Sequence, residues 1–205
     1  MGDAKKSTNR HHHPIRLFSV LLLLLLFLLG LISLILYLIY RPSKPLISIA
    51  SISIYSFSSS PSTPPPNLLS TSMQLTILFH NPNRRASVLY DRLSAYVTYH
   101  DEPITPPVGI PPLYQERASS VSVSPVLGSG FVPVSPGVVL ALETDRAYGV
   151  ASMRVVVLGR VKYKSGPFRS RWYGLYVTCD ALVGVKKGLA GPAPLLGEPQ
   201  CKVNV

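Results

Sequence analysis

Leu75–Tyr99 reads LTILFHNPNRRASVLYDRLSAYVTY, and the spacing of its apolar side chains decides the fold. With Met73 ahead of them, Leu75, Ile77 and Phe79 fall on one side of an extended chain, and Ala95, Val97 and Tyr99 repeat the pattern after an interruption. The interruption is Asn81-Pro82-Asn83. Pro82 fixes φ and has no amide hydrogen to give a ladder, while the asparagine side chains can bond nearby backbone or accept a left-handed conformation. A turn between two strands is therefore the expected role of these three residues, with ligand recognition as the alternative.

Working outward, the same period of two recurs at Val121 and Val123, at Met153, Val155 and Val157, and at Tyr173, Leu175, Val177 and Cys179. Pro106-Pro107, Pro111-Pro112 and Ser165-Gly166-Pro167 punctuate the runs. This predicts a mainly β domain over 73–205, an immunoglobulin- or fibronectin-like antiparallel β-sandwich of seven or eight strands. One short helix is expected after Ser135, which can cap it. Pro136 suits the first helical position, Val138 and Leu142 share a face, and Gly149 can end it.

Upstream, Leu17–Tyr40 is a run of 24 uncharged residues. At about 1.5 Å per helical residue it reaches roughly 36 Å, enough for a hydrocarbon core of about 30 Å. Lys5, Lys6, Arg10 and Arg16 precede it and only Arg41 and Lys44 follow before Arg84, so the positive-inside bias expects residues 1–16 as a basic cytosolic tail and the rest outside. The alternative is a cleaved signal peptide ending near Ser48-Ile49-Ala50, but the apolar run exceeds the usual h-region of about 7–15 residues. A retained signal anchor over 17–40 is the expectation, with the lipid bilayer as its partner. Lys6 stands where N-myristoylation wants Ser or Thr, and the Cys201–Val205 end matches neither a GPI signal nor a prenylation box. The His11-His12-His13 run is expected to be a solvated part of the tail rather than a metal site.

Between helix and domain, residues 41–72 are expected to form a juxtamembrane strand and spacer. Ile47 and Ile49 are out of step with Ile52 and Ile54, which suggests a bulge near Ala50-Ser51. Ser58–Pro66, rich in Ser and Pro, is expected to be a flexible or polyproline spacer that holds the domain off the bilayer.

Three segments together resemble a known family. Leu75–Tyr99 is similar to the late-embryogenesis-abundant type 2 (LEA-2, or water-stress-and-hypersensitive-response) domain, in which Asn-Pro-Asn is followed by a Tyr-Asp strand. Gly159–Asp180, GRVKYKSGPFRSRWYGLYVTCD, resembles the late hairpin of plant harpin-induced and non-race-specific-disease-resistance-like (NHL) proteins, which also carry a basic tail and one signal-anchor helix. The resemblance implies a part in plant defence, the hypersensitive response or stress at the plasma membrane, including plasmodesmata and links to the wall.

Cys179 and Cys201 are the two cysteines, both in the outward domain. An oxidising compartment favours a disulfide between them, and two buried free thiols are the alternative. Arg160, Lys162 and Lys164 alternate before the Gly166-Pro167 turn, and Arg169 and Arg171 follow it. A hairpin could show all five on one face, with Val161 and Tyr163 inward, to meet anionic lipid, acidic wall polysaccharide or a protein partner; an ordinary solvated face is the plain alternative.

The 20 Lys+Arg against 9 Asp+Glu are dispersed, and without a basic helix, zinc-finger spacing or aromatic-basic motif no nucleic-acid partner is expected. No enzyme and no cofactor or metal is expected either. The Gly-x-Ser-x-Gly elbow is absent, Gly128-Ser129-Gly130 lacks a third glycine, and His80 and His100 are expected in surface loops without a nucleophile. The expected function is a membrane-anchored, non-enzymatic interaction protein. A lipid-handling sandwich, opening an apolar groove toward the bilayer, is the rival, and a disordered dehydration protectant is disfavoured by the core patterning.

Overall fold

The computed structural model describes residues 12–40, 42–60, 68–185 and 191–205. The expected basic tail lies outside the described residues as far as residue 11, and so do residues 61–66 of the expected spacer. The chain divides into two compact units, Met1–Arg41 and Pro42–Val205.

In the first unit, α1 spans His12–Tyr40, beginning five residues before the expected span. Its Arg16–Leu38 stretch has a mean hydropathy of 3.1 and no buried residue. At about 1.5 Å per residue the helix is about 43 Å long, long enough to cross a bilayer.

The second unit is two antiparallel sheets over one core. Its strands are β1 Leu46–Ser60, β2 Leu68–His80, β3 Ser87–Tyr99, β4 Glu102–Pro103, β5 Val108–Ile110, β6 Leu113–Gln115, β7 Ser120–Val123 and β8 Val126–Pro133. After α2, Pro136–Tyr148, come β9 Val150–Ser165, β10 Phe168–Arg169, β11 Tyr173–Gly184, β12 Gly191–Ala193 and β13 Gln200–Asn204. The first sheet runs β12-β1-β2-β7, with β8 also on β2; the second runs β13-β11-β9-β3-β4, with β5 and β6 on β3 and β10 on β9. Proline explains why the partners of β3 are short. Pro106-Pro107 and Pro111-Pro112 cannot donate to a ladder, so one edge is served by three pieces in series.

Alternation places the core as the sequence predicts. Met73, Leu75, Ile77 and Phe79 from β2 meet Val97 and Tyr99 from β3, Val155 and Val157 from β9, and Leu175 and Val177 from β11, all buried in one cluster. β1 shifts register between Ile49 and Ser51, where the odd and even isoleucines change step, so both halves of the strand face inward. The helix also forms as predicted. Val138 N–H donates to Ser135 Oγ, Pro136 opens α2, Val138 and Leu142 are buried, and Gly149 ends it at φ 83°.

The spacer expectation requires correction. β1 continues through Ser60 and pairs with β2 from Leu46↔His80 to Ser60↔Leu68, so residues 46–60 and 68–72 belong to the first sheet. Serines 58–60 are strand, and the sandwich already begins at β1, ahead of the proline-rich stretch. Leu46, six residues after Tyr40, already lies in the sheet.

Candidate functional site

Asn81 is fully buried where β2 ends. Its Nδ2 donates to the carbonyls of Ala86 (2.9 Å) and Glu116 (2.8 Å), and its Oδ1 accepts from the backbone N–H (3.1 Å) and Nδ2 (3.0 Å) of Asn83. Asn83 in turn accepts from Ser43 N–H (2.7 Å) and donates Nδ2 to Ser43 O (2.8 Å). Nearby, Gln115 Nε2 donates to the carbonyls of Phe79 and Ser119, and its Oε1 accepts from Tyr90 Oη. These bonds use the polar capacity of Asn81 inside the turn itself and tie it to Pro42-Ser43, where the chain enters the sandwich.

That end, the proximal pole, also carries the β9–β10 hairpin. Ser165 Oγ donates to Arg85 O (3.0 Å), Ser87 pairs with Lys164, and Ala118 N–H donates to Asn83 O (3.0 Å). The five expected hairpin cations divide here. Arg160 Nε donates to Asp91 Oδ2 (2.9 Å), and its guanidinium lies 4.7 Å from the Trp172 ring centre. Lys162 Nζ is 5.5 Å from the same ring. Arg171 lies over Tyr173, which pairs with inward-facing Val161, so it does not share the face of the others. Lys164 and Arg169 are cross-strand neighbours, both exposed. Val161 and Tyr163 are buried beneath. Sequence reasoning missed Lys44, Arg84, Arg85 and Arg117, which join Lys164 and Arg169 at this pole. They reside in loops far apart in the chain, and the bonds of Asn81, Asn83, Ala118 and Ser165 bring those loops together.

Cys179 and Cys201 face each other in the β11–β13 register and form a disulfide with Cα atoms 4.0 Å apart, fastening the last strand to the sheet. His80 lies within β2 rather than in a loop, its Nδ1 2.8 Å from Ser120 Oγ, and His100 occupies the β3–β4 turn at φ 50°.

The opposite, distal pole holds α2, the β3–β4 turn, the end of β8 and the start of β9. Tyr99 Oη donates to Asp145 Oδ2 (2.7 Å), Ser135 N–H donates to Glu102 Oε2 (2.9 Å), and Arg154 bridges Asp180 and Asp101. The Ser135 bond holds the Glu102 carboxyl below its usual range, as the Arg160 bond does for Asp91, and the Asp180 bond raises Arg154. Burial pushes up the phenols of Tyr90, Tyr99 and Tyr163, the last to about 12. An apolar cavity of about 740 Å³ opens at this pole, lined by Ile54, Leu142, Tyr148, Met153, Val185 and Pro192 among others. The rival reading expected a groove toward the bilayer; this cavity lies at the far end from Ser43. No single strand pattern marks it, because it forms where α2 leaves the sheet ends incompletely covered.

No protein-family model matches the chain. It is 39% identical over 119 residues to NDR1/HIN1-like protein 1 of Arabidopsis thaliana, covering 58% of this chain and 57% of that protein. NDR1/HIN1-like protein 12 of the same plant is 35% identical over 126 residues, with 62% and 60% covered, and NDR1/HIN1-like protein 26 is 29% identical over 126 residues, with 62% and 59% covered. The chain thus spans less than two thirds of the length of the curated relatives it matches. Each match bears the NDR1/HIN1-like name that the Asn-Pro-Asn and Gly-Pro-Phe segments anticipate, and these relatives support a place for the chain in the plant NDR1/HIN1-like (NHL) family.

Proposed function

We propose that this protein is a non-catalytic interaction module, held at the plasma membrane by α1 and serving defence or stress responses, the hypersensitive response among them. The LEA-2 resemblance of the sandwich and the similarity to NDR1/HIN1-like proteins support the biological setting. The observation that carries the mechanism is the proximal pole, where exposed cations gather beside the point at which the chain leaves α1. The charge bias around α1 supports a cytosolic N-terminus and an extracellular sandwich, which suits a disulfide-bonded domain, and the resemblance supports plasmodesmata as well as the open membrane. Protease treatment of sealed cells carrying tags at both ends tests this. Loss of the C-terminal tag with retention of the N-terminal one is expected; a shielded C-terminal tag sinks the orientation.

The distal cavity favours a second reading, in which the sandwich carries an apolar ligand; at about 740 Å³ it falls within the usual range of ligand sites. A native mass spectrum of Pro42–Val205, which keeps β1 in place, separates the two. A bare mass supports the interaction module, and co-purified lipid supports the carrier.

A further inference from the structure

The six cations of the proximal pole differ in one respect from Arg160, Lys162, Arg171 and Arg154. Among the described residues, Lys44, Arg84, Arg85, Arg117, Lys164 and Arg169 have no ion pair, side-chain hydrogen bond or ring contact, and all are exposed. Glu116, beside Arg117, is the acid at this pole; Asp91 is already held by Arg160. At the hairpin apex, after Gly166-Pro167, Phe168 is 72% exposed among these charges. A cationic face that serves only solubility gains nothing from an exposed phenyl ring at its centre. A bilayer interface accommodates both, phosphates meeting the cations and the ring entering the headgroup layer.

Chain length selects the partner. Ser43, bonded through both its N–H and its carbonyl to Asn83, is three residues past Tyr40. Three extended residues reach about 11 Å at most, so whatever the orientation of the two units, this pole stays near the end of α1, at a distance comparable to the Debye length of about 8 Å. We propose that the proximal pole seats on the anionic phosphate headgroups of the bilayer that α1 crosses, with Phe168 in the interface. The proposal rests on the membrane-anchored reading and names the partner of its basic pole.

The full chain tests it. Trp172 is the single tryptophan, so Phe168→Trp in a Trp172→Phe background moves the indole to the apex. Reconstitution into phosphatidylcholine, with or without phosphatidylserine, using brominated acyl chains, should quench this indole several-fold more in the anionic bilayer, and added salt should reverse the difference. Replacing Arg84, Arg85, Arg117, Lys164 and Arg169 by Gln should abolish it, and Lys164→Gln with Arg169→Gln alone should weaken docking by about fivefold per charge. Equal quenching in both bilayers, or full quenching in the charge variants, overturns the proposal; so does release of the apex by soluble polygalacturonate, which would make acidic polysaccharide the partner. Alkaline carbonate separates the two failures. A chain washed off the vesicles defeats the anchored reading itself, whereas an unquenched apex on a carbonate-resistant chain defeats only the docking.

Discussion

At the distal pole Asp101 and Asp180 hold Arg154, Glu102 receives the Ser135 amide at the start of α2, and Asp145 accepts the Tyr99 hydroxyl. At the proximal pole six cations reach solvent without any such partner, while the polar work of holding the loops falls to the neutral side chains Asn81, Asn83 and Gln115. One end of the sandwich consumes its charges internally and the other leaves them available. The difference teaches that the net charge of a domain says little about its binding surfaces; what matters is which charges the fold has already used.

Changes to the scaffold should have the largest effects and should not respect the difference between poles. Gly128 sits at φ 97°, and a Cβ there would lie 1.7 Å from the Thr71 carbonyl oxygen. Gly128→Ala should destabilise by roughly 4 kcal/mol or more, read from the urea midpoint, because backbone must move to admit it. Asn81→Leu comes next. It strands the Ala86 and Glu116 carbonyls and the Asn83 amide, for a loss of about 3 kcal/mol. It should also loosen the loops that carry Arg84, Arg85 and Arg117, so bilayer docking should fall with stability.

The distal network should respond more mildly. Tyr99→Phe removes one hydrogen bond to Asp145, at a cost of about 1 kcal/mol by thermal or urea unfolding. Titration probes both ends of the fold from both directions. Glu102 and Asp91 have folded pKa values below their ordinary ones, so their contribution is present above the ordinary carboxylate range and disappears as pH falls through the folded values. Tyr90, Tyr99 and Tyr163 have raised values, so their contribution is intact below about pH 10 and is lost as pH climbs from there toward the folded values. Unfolding midpoints across the pH range should decline at both ends, and Tyr99→Phe should reduce the alkaline decline. A Glu102→Gln variant that kept the full acid-side decline would remove Glu102 from this account.

The smallest stability effect should come from the proximal cations. Converting Arg84, Arg85, Lys164 and Arg169 to Gln one at a time should change the unfolding free energy by less than about 0.5 kcal/mol each, since exposed side chains without partners hold nothing in place. A larger destabilisation at any of them would show that the pole uses its charges internally after all and would erase the contrast with the distal end.

Much of the architecture was readable before folding because it rests on local rules. Period-two alternation in Leu75–Phe79 and Leu175–Cys179 marks the core face of each long strand, the change of step between Ile49 and Ile52 marks a bulge, and Ser135-Pro136 with Gly149 marks both ends of α2. The Ser58–Pro66 stretch misled for an equally physical reason. Its composition reads as a linker, and only the register of β1 against β2 shows that Ser58–Ser60 are strand. The five hairpin cations were visible as an alternating run, but the bonds that commit Arg160 to Asp91 and turn Arg171 toward Tyr173 depend on partners elsewhere in the chain.

By itself the sequence determined the apolar helix, the two-sheet core and the turn at Asn81-Pro82-Asn83, since each depends on the size, polarity and backbone preference of neighbouring residues. Tertiary structure alone decided that Lys44, Arg84, Arg117 and Arg169 share one end, beside the point where the chain leaves α1, and that the apolar cavity opens at the other. Both outcomes depend on which strand ends meet, and that is set by pairing between segments dozens of residues apart, which local chemistry does not encode.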